Sequence, residues 1–327
     1  MIPRLRSLAF VTLSLVPALA GAQWRHLESL PQVQREGNTV TFAAAADSGR
    51  SEHVAISVLA PEVVRVRFSP TAFGRDHSDT VVDRQLGAQD FRFDTTAAGS
   101  VIATAALRVE VQAAPFRLVI KDAEGRVIHA DDPGRGMAHD GSAVRAWTTL
   151  RDTDNVYGFG EKNGAFNKRG WSLGGYHYVM WNSDTYGYDS STDPIYASVP
   201  FYLVLREGRA HGVFLDNTHR SSFDIGRERR SLLSFGADGG ELDYYVVAGP
   251  HPRDVVRRYA QLTGRAPLPP RWALGYHQSR WSYYPEARVR RLADTFRQEQ
   301  VPADTLWLDI DYQDEFKPFT WSAERFP

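Results

Sequence analysis

Leu306-Trp307-Leu308-Asp309-Ile310-Asp311-Tyr312 is apolar at its start and then gains two carboxylates. Such a run reads as a buried strand that delivers acids to one edge of a sheet, where parallel strands meet a ligand. Alternate residues of an extended chain share a face, so Trp307, Asp309 and Asp311 are expected on one side and Leu306, Leu308 and Ile310 on the other. Upstream, Trp272-Ala-Leu-Gly-Tyr-His277 is a second strand-like run, followed by an aromatic loop from Gln278 to Tyr284. Between the two runs Pro285 and Glu286 open a helix on which Val289, Leu292, Ala293 and Phe296 repeat at i, i+3, i+4 and i+7. Strand, helix, strand makes the two strands parallel and sends both C-terminal ends to one face, so Trp281 and Asp309 should converge. In a (β/α)8 barrel that face carries the active site.

The chain before this unit has a different rhythm. From Thr39 to about Val247 short strand-like runs are broken by Gly, Asp and Pro. Val64-Arg-Val-Arg-Phe68 and Leu107-Arg-Val-Glu-Val111 alternate apolar with polar, the pattern of strands with one wet face. Phe116 to Ile120 and Val127-Ile128 flank Asp122-Ala-Glu-Gly125, and Phe201 to Leu205 and Gly212 to Leu215 flank Glu207-Gly208; both read as hairpins. Many short strands at this spacing predict an antiparallel β-sandwich. A helix begins at Pro252, carries Val255, Val256, Tyr259 and Leu262 on one stripe and stops at Gly264. Gly264-Arg-Ala-Pro-Leu-Pro-Pro270 is then stiff and extended, as suits an interdomain connector.

These signals divide the 327 residues into a leader (1–22), a sandwich domain with a C-terminal helix (23–263), a connector (264–270) and the beginning of a barrel (271–327). In the leader, Arg4 and Arg6 precede an apolar run from Leu8 to Ala20, and Ala20-Gly21-Ala22 offers a cleavage site. The run is short for a membrane span, so the expected localisation is periplasmic or secreted, without membrane association once the leader is removed. A whole barrel needs roughly 200 to 250 residues, and fewer than a third of those follow Pro270. The chain is therefore expected to be part of a longer protein. Its net charge of −1 gives a polyanion nothing to bind, which argues against nucleic acid. With no cysteine it holds neither disulfides nor a thiolate metal site, no metal-ligand spacing stands out, and no cofactor is implied.

The stretch Pro267-Leu-Pro-Pro-Arg-Trp-Ala-Leu-Gly-Tyr-His-Gln-Ser-Arg-Trp-Ser-Tyr-Tyr284, with Val301-Pro-Ala-Asp-Thr-Leu-Trp-Leu-Asp-Ile-Asp-Tyr312, resembles the start of the catalytic barrel of glycoside hydrolase family 31. Val156-Tyr-Gly-Phe-Gly-Glu-Lys162 and Met180-Trp-Asn-Ser-Asp-Thr-Tyr-Gly-Tyr188 look like segments of that family's N-terminal, galactose-mutarotase-like sandwich. The resemblance implies a mainly β protein, an antiparallel sandwich followed by the first βαβ unit of a (β/α)8 barrel, and an activity on α-glucosides or oligosaccharides. It implies that Asp309 hydrogen-bonds hydroxyls of the sugar whose bond is cleaved, that Trp281 and Trp307 wall its subsite, and that Asp184 sits on a sandwich loop and contacts the neighbouring sugar. The family's nucleophile and acid/base are aspartates on later barrel strands. The chain stops at Pro327 before either, so no residue here is expected to inherit those roles and the chain alone is expected to be inactive.

Each of these residues has a plainer reading. Asp309 could cap the next helix, Asp184 could form a turn, and the two tryptophans could be core; the flanking motifs favour ligand contact. Asp311 reads as structural support, His277 as a hydrogen-bonded barrel residue, and Glu161 as an ion-paired residue packing the sandwich on the barrel. Gly158-Phe-Gly160 lacks the following Gly and Lys-Ser/Thr of a phosphate loop. Retaining hydrolysis needs two carboxyl groups about 5 to 5.5 Å apart that flank the scissile bond. Asp309 and Asp311 would approach the sugar from one side, so they are not that pair. An α-xylosidase or α-glucan transferase of the same family and a non-catalytic carbohydrate-binding sandwich are the alternatives.

Overall fold

The computed structural model describes residues 23–45, 49–84, 86, 90–96, 99–170 and 174–327; the expected leader, 1–22, lies outside them. The chain divides into two compact units, the first ending at Gly264 and the second running from Arg265 to Pro327. Residues 264–270 carry no regular secondary structure. Among the described residues no helix is long and apolar enough to cross a membrane.

In the first unit the alternating runs pair antiparallel into three sheets; Val63–Ser69, Leu232–Ala237 and Leu242–Ala248 are buried on both faces, so the wet face expected of Val64–Phe68 is covered, with Arg65 paired to Asp243. The eight-stranded sheet is ordered Asp154–Gly160, Ser198–Arg206, Arg209–Leu215, Leu242–Ala248, Val63–Ser69, His53–Ala60, Thr39–Ala43, Gln32–Glu36. The six-stranded sheet is ordered Arg25–His26, Met137–Asp140, Ala143–Thr149, Leu232–Ala237, Ser221–Ile225, Tyr176–Met180. A five-stranded sheet runs from Val127–Ala130 to Arg92–Thr96. One continuous apolar core takes side chains from all three, including Phe68, Val111, Phe116, Phe223, Phe235 and Tyr244, which is the sandwich that the patterning predicts. Both hairpins form: Gly125 takes φ 80° in one, and Glu207 and Gly208 take φ 50° and 77° in the other. The helix Pro252–Thr263 buries Val255 and Leu262 and stops at Gly264, where φ is 94°. Val256, assigned to its stripe from sequence, is half exposed instead.

Burial in this unit sets up a pH response. The Asp131 carboxylate accepts from the Leu118 N–H at 2.9 Å, and its other oxygen is buried without a partner among the described residues. Burial pushes its pKa up to about 7, with Asp132 adding to the rise and Arg117 opposing it. A raised folded value means that the native state keeps a proton which the unfolded chain releases. Asp131 therefore favours the fold at acid pH, and that contribution is lost as the pH rises through 7. His129, which burial lowers to about 4, titrates in the opposite sense in wild type and variant alike and cancels in their difference. Asp131→Asn is expected to gain on the order of 1–3 kcal/mol relative to wild type between about pH 4 and 8. Urea unfolding across that range checks it, and a pH-independent difference would overturn the assignment.

The second unit contains the βαβ element, in shorter form than expected. His277–Gln278 and Thr305–Leu306 pair parallel, and the helix Glu286–Gln298 joins them. Its apolar stripe of Val289, Leu292, Ala293 and Phe296 is only half-buried. Two sequence expectations need correction. Trp272 to His277 is not one strand: after Pro269-Pro270 the chain turns, with the Ala273 N–H bonded to the Pro270 carbonyl and the Gly275 N–H to the Trp272 carbonyl. Those local bonds use backbone groups that a ladder would need. Leu306 to Ile310 is not one strand either. Trp307 still donates to the Gln278 carbonyl at 2.9 Å, but the Asp309 carboxylate accepts from the Ile310 N–H at 2.8 Å and opens a 3-10 turn, Ile310–Tyr312. A short acidic side chain competing for its own backbone in this way ends the extended run. The strict alternation that placed Asp311 on the face of Trp307 and Asp309 therefore does not apply.

Candidate functional site

At the C-terminal ends of the parallel pair, the loop after Gln278 meets the turn after Leu306. The Ser282 hydroxyl donates to the Asp311 carboxylate, and Arg325 donates to the Asp311 carbonyl at 3.0 Å with its guanidinium 3.7 Å from the carboxylate. Asp311 is thus engaged in holding two loops together, the supporting role expected of it. Trp281 precedes Ser282 in the chain, and Asp309 lies two residues before Asp311. Both face solvent, Trp281 with 80% of its surface exposed and Asp309 with a carboxylate whose only hydrogen-bond partner among the described residues is the adjacent N–H.

Trp307 is also half exposed and is fixed by its indole N–H, which donates to His277 Nδ1 at 3.0 Å. His277 is therefore a hydrogen-bonded residue of the strand pair, with Nδ1 as acceptor and the proton on Nε2. Below them the Tyr276 hydroxyl donates to Gln278, and the Gln278 amide donates to the hydroxyl of buried Tyr283 at 2.7 Å. Two exposed indoles and a carboxylate with free lone pairs can stack on a sugar ring and accept its hydroxyls.

Asp184 belongs to the first unit. It lies exposed on a loop, residues 181–197, between Ser183, whose N–H bonds the Ile195 carbonyl, and Thr185, whose hydroxyl reaches Ser183 and the Pro194 carbonyl. Trp181, Tyr186, Tyr188 and Tyr196 are exposed on the same loop.

What holds this loop is the Gly158-Phe-Gly-Glu-Lys162 segment. The register slips between Gly158 and Gly160, and Gly158, Phe159 and Gly160 all take positive φ. A Cβ at Gly158 would lie 2.5 Å from the Phe201 carbonyl oxygen, so glycine is required. The segment is a β-bulge that re-aims the residues after it. The Phe159 ring is sunk against Tyr202 and Phe223. Lys162, whose side chain is fully buried, donates to the Asp193 carboxylate at 2.8 Å and to the Val179 carbonyl at 2.5 Å. Asn163 donates to the carbonyls of Asp189 and Thr192. Beside it Lys168 bonds the carbonyls of Lys162 and Asn163; burial, and then the Lys162 charge, pushes its pKa down.

Glu161 corrects an expectation. Its carboxylate accepts from the Ala197 N–H at 3.0 Å, and among the described residues it forms no ion pair. A loop that needs its ends held over a bulge supplies a backbone donor here instead. Sequence reading missed Lys162, Asn163 and Asp193 as anchors. The available signal was a lysine directly after a glycine-rich turn within an apolar stretch, where an ammonium has to find fixed acceptors.

Comparison with known proteins identifies the family of both units. Residues 53–224 match the glycosyl hydrolase 31 N-terminal galactose mutarotase-like domain, and residues 266–327 match the glycosyl hydrolases family 31 TIM-barrel domain. Alpha-glucosidase 2 of Bacillus thermoamyloliquefaciens is 39% identical over 268 residues, covering 81% of this chain and 33% of its own. An alpha-glucosidase of Saccharolobus solfataricus is 34% identical over 59% of this chain and 27% of its own. A solved dextranase of Flavobacterium johnsoniae, complexed with isomaltotriose, superposes over 93% of this chain and 36% of its own, with a TM-score of 0.84 at 31% identity. The chain thus spans about a third of the length of these relatives. Most strands of the sandwich, the bulge and the opening strand pair fall within the matched segments, and the chain belongs to glycosyl hydrolase family 31.

Proposed function

We propose that this chain is the N-terminal part of a periplasmic or secreted retaining α-glycosidase that hydrolyses α-glucosidic bonds in oligosaccharides. The observation that carries the reading is the Ser282–Asp311 contact, which pins two loops at the C-terminal edge of the parallel pair while the neighbouring Trp281 and Asp309 stay free for a ligand. In this reading Asp309 accepts hydroxyls of the sugar in the cleaved subsite, Trp281 and Trp307 flank its ring, and Asp184 contacts the next sugar. Their work is orientation, holding the anomeric carbon against a nucleophile supplied by a later strand. The names of the relatives, glucosidases and a dextranase, support an α-glucan substrate.

The test compares two proteins on p-nitrophenyl α-glucoside. The 327-residue chain is expected to release no nitrophenol, and the same chain extended through the remaining barrel strands is expected to turn it over with net retention at the anomeric carbon. Turnover by the 327 residues alone would overturn the division of labour, and an extended enzyme inert on every α-glucoside would overturn the activity.

A further inference from the structure

The outer face of the six-stranded sheet, away from the core, carries an unassigned pocket. On the strand Ala143–Thr149, Val144 and Ala146 point into the core. Arg145 and Trp147 alternate with them and so point outward. Register extends that outward set across the sheet: Trp147 stands opposite Ser234, Ser234 opposite Asp224, and Asp224 opposite His177. The wet face of an antiparallel sheet ordinarily shows dispersed, solvated charges. Here it forms a cavity of about 670 Å³ lined by this row together with Trp24, Arg135, Arg145 and Glu228.

Its parts are fixed in place. Trp24 meets Trp147 edge-on, with ring centroids 5.2 Å apart. The Arg145 guanidinium lies 5.9 Å from the Trp24 ring and donates to Ser234 and Ser222 at 3.1 and 2.6 Å. Glu228 accepts from Arg135 and from the Trp147 indole. Asp224 holds the turn beyond its strand through the N–H groups of Arg227 and Glu228, and one of its oxygens lies 3.9 Å from His177.

Two guanidinium groups and two carboxylates balance, so the pocket has no net charge with which to draw a phosphate or a polyanion. Trp147 is itself buried, at 4% exposure, beneath Trp24, so the pocket offers the half-buried Trp24 indole beside fixed donors and acceptors, the combination that suits a neutral polyhydroxylated ring. We propose that this face is a second carbohydrate-binding site, outside the barrel, which takes glucose units of a neutral glucan. The choice of glucan rests on the α-glucosidase reading above; the site itself rests on the pocket. Its effect is to hold the polymer near an enzyme whose cleaving subsite is elsewhere, raising the local substrate concentration.

Native electrophoresis of the full chain through gels with and without soluble dextran tests this, together with urea unfolding of each variant. The wild type is expected to be retarded by dextran, and Trp24→Ala to raise the apparent dissociation constant about tenfold. His177→Ala, on an exposed side chain whose sheet neighbour is Asp224, is expected to raise it about threefold with unchanged unfolding. Trp281→Ala is expected to leave the retardation as it was. Three results would overturn the proposal: no retardation of the wild type, retardation lost only in Trp281→Ala, or loss in Trp24→Ala alone with a lowered unfolding midpoint, which makes the indole pair a clamp on the N-terminal strand. Failure of the α-glucosidase reading is seen separately, in the turnover assay of the extended enzyme.

Discussion

In the extended enzyme, Asp309→Asn is expected to lower kcat/KM for p-nitrophenyl α-glucoside by about three orders of magnitude, the cost of removing one charged, preorganised hydrogen-bond acceptor from a transition state. The substitution is chosen because it isolates the charge. Asn fills the same volume and is an equally good N-cap, so the bond to the Ile310 N–H that opens the 3-10 turn is retained. Asp311→Asn behaves differently: Asp311 is tied to Ser282 and Arg325, so its loss loosens the loops and falls on stability as well as rate. Michaelis parameters and urea unfolding for both variants separate the cases. A fall of less than about tenfold for Asp309→Asn, with an unchanged unfolding curve, would remove Asp309 from substrate contact.

The second large effect lies in the sandwich. Lys162→Met is expected to cost about 3–5 kcal/mol of unfolding free energy, because it removes one partner of a buried ion pair and leaves the other uncompensated. The Lys162 side chain is fully buried, and Asp193 keeps the Val179 N–H at 2.6 Å but loses its cation. The Val179 carbonyl loses its ammonium donor too. The pairing spans residues 162 and 193, so the damage should concentrate in residues 181–197, and limited proteolysis should cut there first. A variant as stable as wild type, with that loop equally resistant, would show that the loop is held by Asn163 and its own turns alone.

How much of this could be read from the chain differs between the two units. In the sandwich, alternation and turn chemistry act over a few residues, so Leu107 to Val111 and the Glu207-Gly208 turn declare themselves locally. The sheet order, and the row that crosses it from Trp147 to His177, depend on which strands become neighbours, and no local pattern encodes that. In the second unit the helix was legible from its period and from Pro285. Strand lengths were not, since a parallel ladder with few rungs competes poorly with turns that proline and aspartate make from their own backbone. The parallel direction of the strand pair was legible from the strand, helix, strand order alone. The Lys162 anchor was hidden because sequence shows a lysine but not its acceptors, Val179 and Asp193, which lie 17 and 31 residues away.

The two-rung parallel pair also bears on the order of events during synthesis. Every described strand of the sandwich lies before Gly249, and its closing helix is finished at Thr263, so the whole first unit is made before the strand pair. The strand pair that follows is joined by only two ladder positions under a half-covered helix. Domains made in that order fold from the N-terminus onward, so the sandwich is expected to settle before the strand pair does.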